Sequence, residues 1–140
     1  MPLSFHSADI SFILKEKSAF RKWINSEILR RSFKTGKINL ILCSDDYLLE
    51  LNKKYLNHNF YTDIITFNYN EANLISGDLF ISIDRIKENT LIFNTIFQQE
   101  LKRVIIHGIL HLMGHDDNSP DLKKKIHEEE DEALKRFPLS

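Results

Sequence analysis

The sequence predicts an α+β domain with a small mixed sheet of four strands, about five helices and one helix buried at its centre. Three observations carry this. Strand-like segments all precede residue 84 and the chain after it is helical in character, a segregation that favours α+β over a strictly alternating α/β fold. The 140 residues include only four Gly and three Pro, with no Ser/Gly/Pro-rich stretch and no repeat to mark a linker, so residues 1–140 are expected to form a single domain. The segment from Phe97 to Met113 is apolar nearly all round, as a helix buried on most sides must be.

The elements follow in order. Leu3 to Ile13 alternates weakly and reads as extended. Ser18 to Phe33 places Phe20, Trp23, Ile24, Ile28 and Leu29 at helical spacing, with Ser18 as the expected cap. Lys37 to Cys43, following Gly36, is a short β-rich strand, and Ser44-Asp45-Asp46 opens a helix running to about Asn57. Thr62 to Asn68 and Gly77 to Ile83 read as two further strands joined by a polar loop. Helices are then expected from Asp84 to about Phe93, from Phe97 to Met113 and from Pro120 to Arg136.

Composition narrows the function classes. Cys43 is the only cysteine, which excludes an internal disulfide and a cysteine zinc finger and suits a reducing compartment. The first residues lack a basic segment followed by an apolar core, and no apolar stretch approaches the roughly 18 to 20 residues that span a bilayer. A cytoplasmic protein without a membrane partner is expected. The net charge of −1 points away from nucleic acid when taken alone, and no DNA partner is expected. Its distribution differs: residues 1–54 carry ten basic and six acidic side chains, a balance of +4, and the rest sums to −5. The run Glu128-Glu129-Glu130-Asp131-Glu132 accounts for most of that negative balance and reads as a solvated helix face.

Inside the apolar helix stand His107 and His111. A spacing of four puts both imidazoles on one face, one turn apart, where they can reach one metal ion. Gly114 is placed to end the helix in a left-handed turn that returns His115, Asp116 and Asp117. Asp117 is favoured over His115 as third ligand, because three donors along a straight helix spread over about 12 Å and cannot converge on one ion. Three protein donors leave a position open, the pattern of a catalytic zinc, and the mixed His/carboxylate set suits zinc or another divalent ion. Glu100, seven residues before His107, is either a carboxylate that orients a ligand imidazole or a helix-start charge. Gly108 stands where metalloproteases carry their general-base Glu, which disfavours a peptidase mechanism. Metal-assisted hydrolysis remains, with a metal-bound water as the catalytic group. No general base is identified; Glu100 and His115 are the candidates.

The string His107-Gly-Ile-Leu-His111-Leu-Met-Gly114-His-Asp116-Asp117 resembles the signature of the YbeY family, H-G-x-L-H-L-x-G-Y-D-H. Thr62-Asp63-Ile-Ile-Thr-Phe67 and Gly77-Asp78-Leu-Phe-Ile-Ser82 extend the likeness over roughly residues 37 to 136. The resemblance implies a zincin-like fold and a zinc-dependent, single-strand endoribonuclease. It also implies work in ribosomal RNA maturation, including the 3′ end of small-subunit RNA, and in ribosome quality control. Ribosomal RNA and the ribosome or small-subunit assembly proteins would be its partners. Carried over by position, the metal ligands are His107, His111 and Asp117, with Asp117 standing where the family has His and His115 where it commonly has Tyr. Leu56 follows Asn52-Lys-Lys-Tyr55 where many members have an Arg; Lys53, Lys54 or His58 are the residues left to supply positive charge to RNA. Two other functions compete: a metallopeptidase-like amide hydrolase, and a non-catalytic ribosome assembly factor whose metal only braces the helix and loop.

Overall fold

A computed structural model describes residues 3–138. Its order is β1 (Leu3–Ser7), α1 (Lys17–Arg30), β2 (Lys34–Cys43), α2 (Asp45–Leu56), β3 (Ile64–Asn68), β4 (Leu74–Ser82), α3 (Ile83–Ile92), α4 (Phe97–Leu112) and α5 (Pro120–Lys135). This is the α+β architecture expected, with four strands in one mixed sheet. The sheet runs β1-β2-β4-β3; β1 and β2 are parallel, as are β2 and β4, and β3 is antiparallel on the β4 edge.

Period-2 alternation sorts the strand residues to two faces. Ile38, Leu40 and Leu42 of β2 and Ile75, Leu79 and Ile81 of β4 join the main core with Phe20, Trp23, Ile24 and Ile28 of α1 and Leu101, Ile105 and Ile109 of α4. On the opposite face Cys43 and Ile65 pack with Leu48 of α2 in a smaller cluster. Burial drives the Cys43 thiol up to about 12, with the charges of Asp9, Asp45 and Asp84 adding to the effect, so it is an unreactive core residue. Gly77 is hemmed in by β3 and α4: a Cβ there would run into the Phe67 carbonyl and lie 2.9 Å from Leu112 Cδ2.

Three helices start on a serine cap. Ser44, Ser82 and Ser119 accept from the amides of Tyr47, Arg85 and Leu122, and Pro120 occupies the first turn of α5. The other two have no side-chain cap: α4 starts from Ile96, and in α1 Ser18 lies inside the helix. The chain enters through Glu16 in a left-handed conformation (φ 62) and no side chain caps it, so the predicted Ser18 cap is corrected. Two strands also begin earlier than expected. Lys34 and Leu74 already pair, and the register shift between Thr35 and Ile38 absorbs Gly36. Pairing across the sheet extends both strands, β2 through Lys34 and Gly36, which are poor strand formers on their own. The extended N-terminal segment stops at Ser7, whose hydroxyl donates to the Phe12 carbonyl and turns the chain.

Candidate metal centre

The centre is built on the one polar stripe of α4. Arg103, His107 and His111 recur every four residues, the two histidines between buried neighbours, and the two imidazoles remain about a quarter exposed. At the C-terminal end Gly114 takes φ 96, and the His115 amide donates to Leu110 O across the reversed turn. Asn70, in the β3–β4 loop, donates to the Leu112 carbonyl at 2.6 Å and holds that end in place. The reversed chain brings Asp117 back over the helix.

His107, His111 and Asp117 each offer a donor atom, and the three atoms lie within 4.8 Å of one another. The two Nε2 atoms are 2.9 Å apart, and Asp117 Oδ2 is 3.6 Å from each. Tetrahedral zinc with ligands about 2.0–2.1 Å away sets its donors about 3.3 Å apart, so the edges of this triangle bracket the value a bound ion requires. Two ring nitrogens aimed at each other, with a carboxylate oxygen opposite, need a cation or a proton between them. The chemistry of the donor set and its spacing fit a divalent metal.

His115 is not in this group. It lines a separate hollow with Met113, Lys125 and Ile126, and burial lowers its pKa in spite of the nearby Glu129 charge. The rigid turn at Gly114 aims it away from the His107 face.

The carboxylate beside His107 is Glu130 of α5. Its Oε2 lies 2.5 Å from His107 Nδ1, and Oε1 accepts from Arg103 Nη1 at 2.9 Å. Glu130 is buried, so charge, hydrogen bond and orientation are fixed together. A proton held on Nδ1 leaves the Nε2 lone pair for a metal. Burial opposes protonation of His107, but the bond and charge of Glu130, with Asp63 and Asp117 beyond, raise its pKa above that of an ordinary imidazole. Glu100, expected as an orienting carboxylate, a general base or a helix-start charge, is placed apart from the imidazoles: it is buried, accepts from Asn89 Nδ2 at 3.3 Å and lines a different hollow with Phe93 and Arg103.

Replacing Glu130 with Gln keeps the shape but removes the charge. Metal affinity should fall roughly 10- to 100-fold, the usual cost of losing a carboxylate behind a ligand imidazole. Competition titration with a chromogenic chelator measures this; unchanged affinity would show that Glu130 serves the fold alone.

The metal face opens into a depression of about 380 Å³ lined by Leu56, His58, Phe60, Asp63, Thr66 and the three donor residues, among others. Asp63, for which the sequence suggested no role, is a further carboxylate on that wall. Burial raises its pKa, against the charge of His107 and hydrogen bonds from the backbone and Asn89. Of the residues expected to meet RNA, His58 lines the depression. Lys53 and Lys54 stand outside it on the last turn of α2, Lys53 beside Glu50 at 3.5 Å and Lys54 over the Tyr55 ring. Leu56 does line the wall and brings an apolar group there.

With this geometry in hand, comparison with known proteins is decisive. The YbeY family model, described as Endoribonuclease YbeY, matches residues 5–138. The chain belongs to the YbeY family. Curated relatives named Endoribonuclease YbeY include one from Parabacteroides distasonis, 45% identical over 138 residues that cover 99% of this chain and 97% of the relative. One from Flavobacterium psychrophilum is 44% identical over 129 residues, 92% of each. A solution structure of a Thermotoga maritima protein superposes with a TM-score of 0.63 at 26% identity, covering 95% of this chain and 87% of that one. In this YbeY chain the position after the first histidine faces the sheet: a Cβ on Gly108 would lie 2.5 Å from Ile64 Cδ1 and 2.7 Å from Leu79 Cδ2. A peptidase-type Glu there would have to push both side chains aside.

Proposed function

We propose that this chain is a metal-dependent endoribonuclease that cuts single-stranded RNA, with zinc as its metal, and that it acts in the cytoplasm in ribosomal RNA maturation at the 3′ end of small-subunit RNA and in ribosome quality control. The observation that carries this is the convergence of His107, His111 and Asp117 on the wall of an open depression, in a chain of a family described as an endoribonuclease. When bound, the ion supplies Lewis acidity to a phosphodiester and a more acidic water. The chain does the rest. His107 and His111 hold their lone pairs toward one point, Glu130 fixes the His107 ring, and Asp117 contributes a hard, charged donor suited to a divalent cation. Asp63 faces the same space outside the triad, and burial makes it a stronger base than a solvated carboxylate. Partners are the ribosomal RNA itself and the ribosome or its small-subunit assembly proteins.

The test uses purified protein with a precursor fragment spanning the 3′ end of small-subunit RNA. Cleavage should stop with a chelator and return when zinc is restored, with one zinc per chain by elemental analysis. Cleavage that survives full metal removal, or none with the metal present, would overturn the reading.

A further inference from the structure

The loop between α2 and β3 carries an aromatic step that neither core cluster uses. α2 ends at Asn57 in a left-handed conformation (φ 55). The buried Asn52 then pins the loop twice: its carbonyl accepts from the His58 amide at 3.1 Å, and its Nδ2 donates to the Phe60 carbonyl at 2.8 Å. Phe60 is nevertheless 55% exposed. The His58 ring lies against it in a stacked arrangement, centroids 5.0 Å apart and planes at 24°. Both residues line the depression that holds His107, His111 and Asp117.

An ordered ring left in water beside a metal centre, with a second ring stacked behind it, presents a flat π surface for a flat ligand. Every nucleobase has such a face, and stacking on aromatic side chains holds unpaired bases without regard to sequence. The exposed Lys53 and Lys54 on the preceding turn add positive charge of the sign a phosphate backbone requires. Leu56 adds apolar surface to the same wall. We infer that Phe60, backed by His58, is a stacking platform that holds one unpaired base of an RNA strand at the mouth of the metal centre. The inference rests on the endoribonuclease reading and specifies how that substrate is held. A paired base, already stacked between its neighbours, is not available to the platform, so the device selects single strands.

The experiment mixes the full chain with a single-stranded oligoribonucleotide carrying 2-aminopurine, read by stopped-flow fluorescence before turnover. Wild-type protein should quench the probe. Phe60→Ala should weaken binding by about tenfold or more and lose the quench, whereas Phe60→Trp retains both and shows that the loop still folds. A Phe60→Leu variant that behaves as wild type would overturn stacking in favour of simple apolar contact, the result expected if the patch receives a peptide. Unchanged binding by Phe60→Ala would overturn the platform alone. A wild-type chain that binds no RNA would overturn the endoribonuclease reading with it.

Discussion

Substitution of His107 or His111 by Ala removes metal and RNA cleavage together. Each variant keeps only two of the three donors that lie within 4.8 Å of one another, and two protein ligands do not make the three-ligand site of a catalytic zinc. The loss in activity should exceed the roughly 10- to 100-fold that follows from disturbing a partner behind a ligand, since here the ligand itself is gone. The fold should survive. Both side chains are about a quarter exposed, so truncation leaves no sealed cavity, and Ala is the best helix former for the interior of α4. Elemental analysis, a cleavage assay and thermal unfolding on the same preparations test the prediction. The expected pattern is no bound zinc and no cleavage, with a midpoint equal to that of chelator-treated wild type for His111→Ala and a lower one for His107→Ala, which leaves the buried Glu130 Oε2 without its partner. A variant without metal that still cuts RNA would show that the three residues are a structural cluster and that catalysis lies elsewhere.

Which parts of this centre were legible in the sequence follows from the range of the interactions involved. His107 and His111 are related by the helical period, and Gly114 by the turn a helix end needs; both are local rules, so the convergence of Asp117 could be read within ten residues. Glu130 could not be read that way. It sits in a run of five acidic residues that looks solvated as a block. Only the spacing Ile126, Glu130, Ala133, Phe137, all buried, shows that one of the five falls in the apolar stripe of α5. Asp63 and Phe60 depend on the docking of the α2–β3 loop against α4, a tertiary event with no local period. The strand starts at Lys34 and Leu74 fall in the same class, because each is stabilised by the other strand.

Glu27→Ala should be strongly destabilising although it lies outside the metal centre, and its effect should reach the metal. Glu27 is completely buried in α1, yet its carboxylate takes two bonds of 2.8 Å from Arg136 and one of 2.9 Å from Arg31, which also reaches Glu129 at 3.3 Å. Removing one member of a buried ion cluster leaves the others desolvated without compensation, at a cost of about 3–5 kcal/mol. For a domain of this size that lowers the unfolding midpoint by roughly 10 °C or more. The pH dependence has a definite sign. Burial alone would raise the Glu27 pKa, but the bonds and charges of Arg136 and Arg31 outweigh it and hold the group below its ordinary value of 4.5. Its contribution is therefore complete above that pH and is lost as acid titrates the folded state. The gap between wild type and variant should be constant near neutrality and close in acid. Glu50→Ala, which breaks only the exposed pair with Lys53, should change nothing measurable. Glu129 and Glu130 are neighbours on α5, so the residues that clamp this helix to α1 also hold the carboxylate that aims His107. Weaker zinc binding in Glu27→Ala, measured below its unfolding transition, would demonstrate that coupling; unchanged affinity would show that Arg103 and Trp23, whose Nε1 donates to Ala133 O at 2.8 Å, suffice to seat α5 without it.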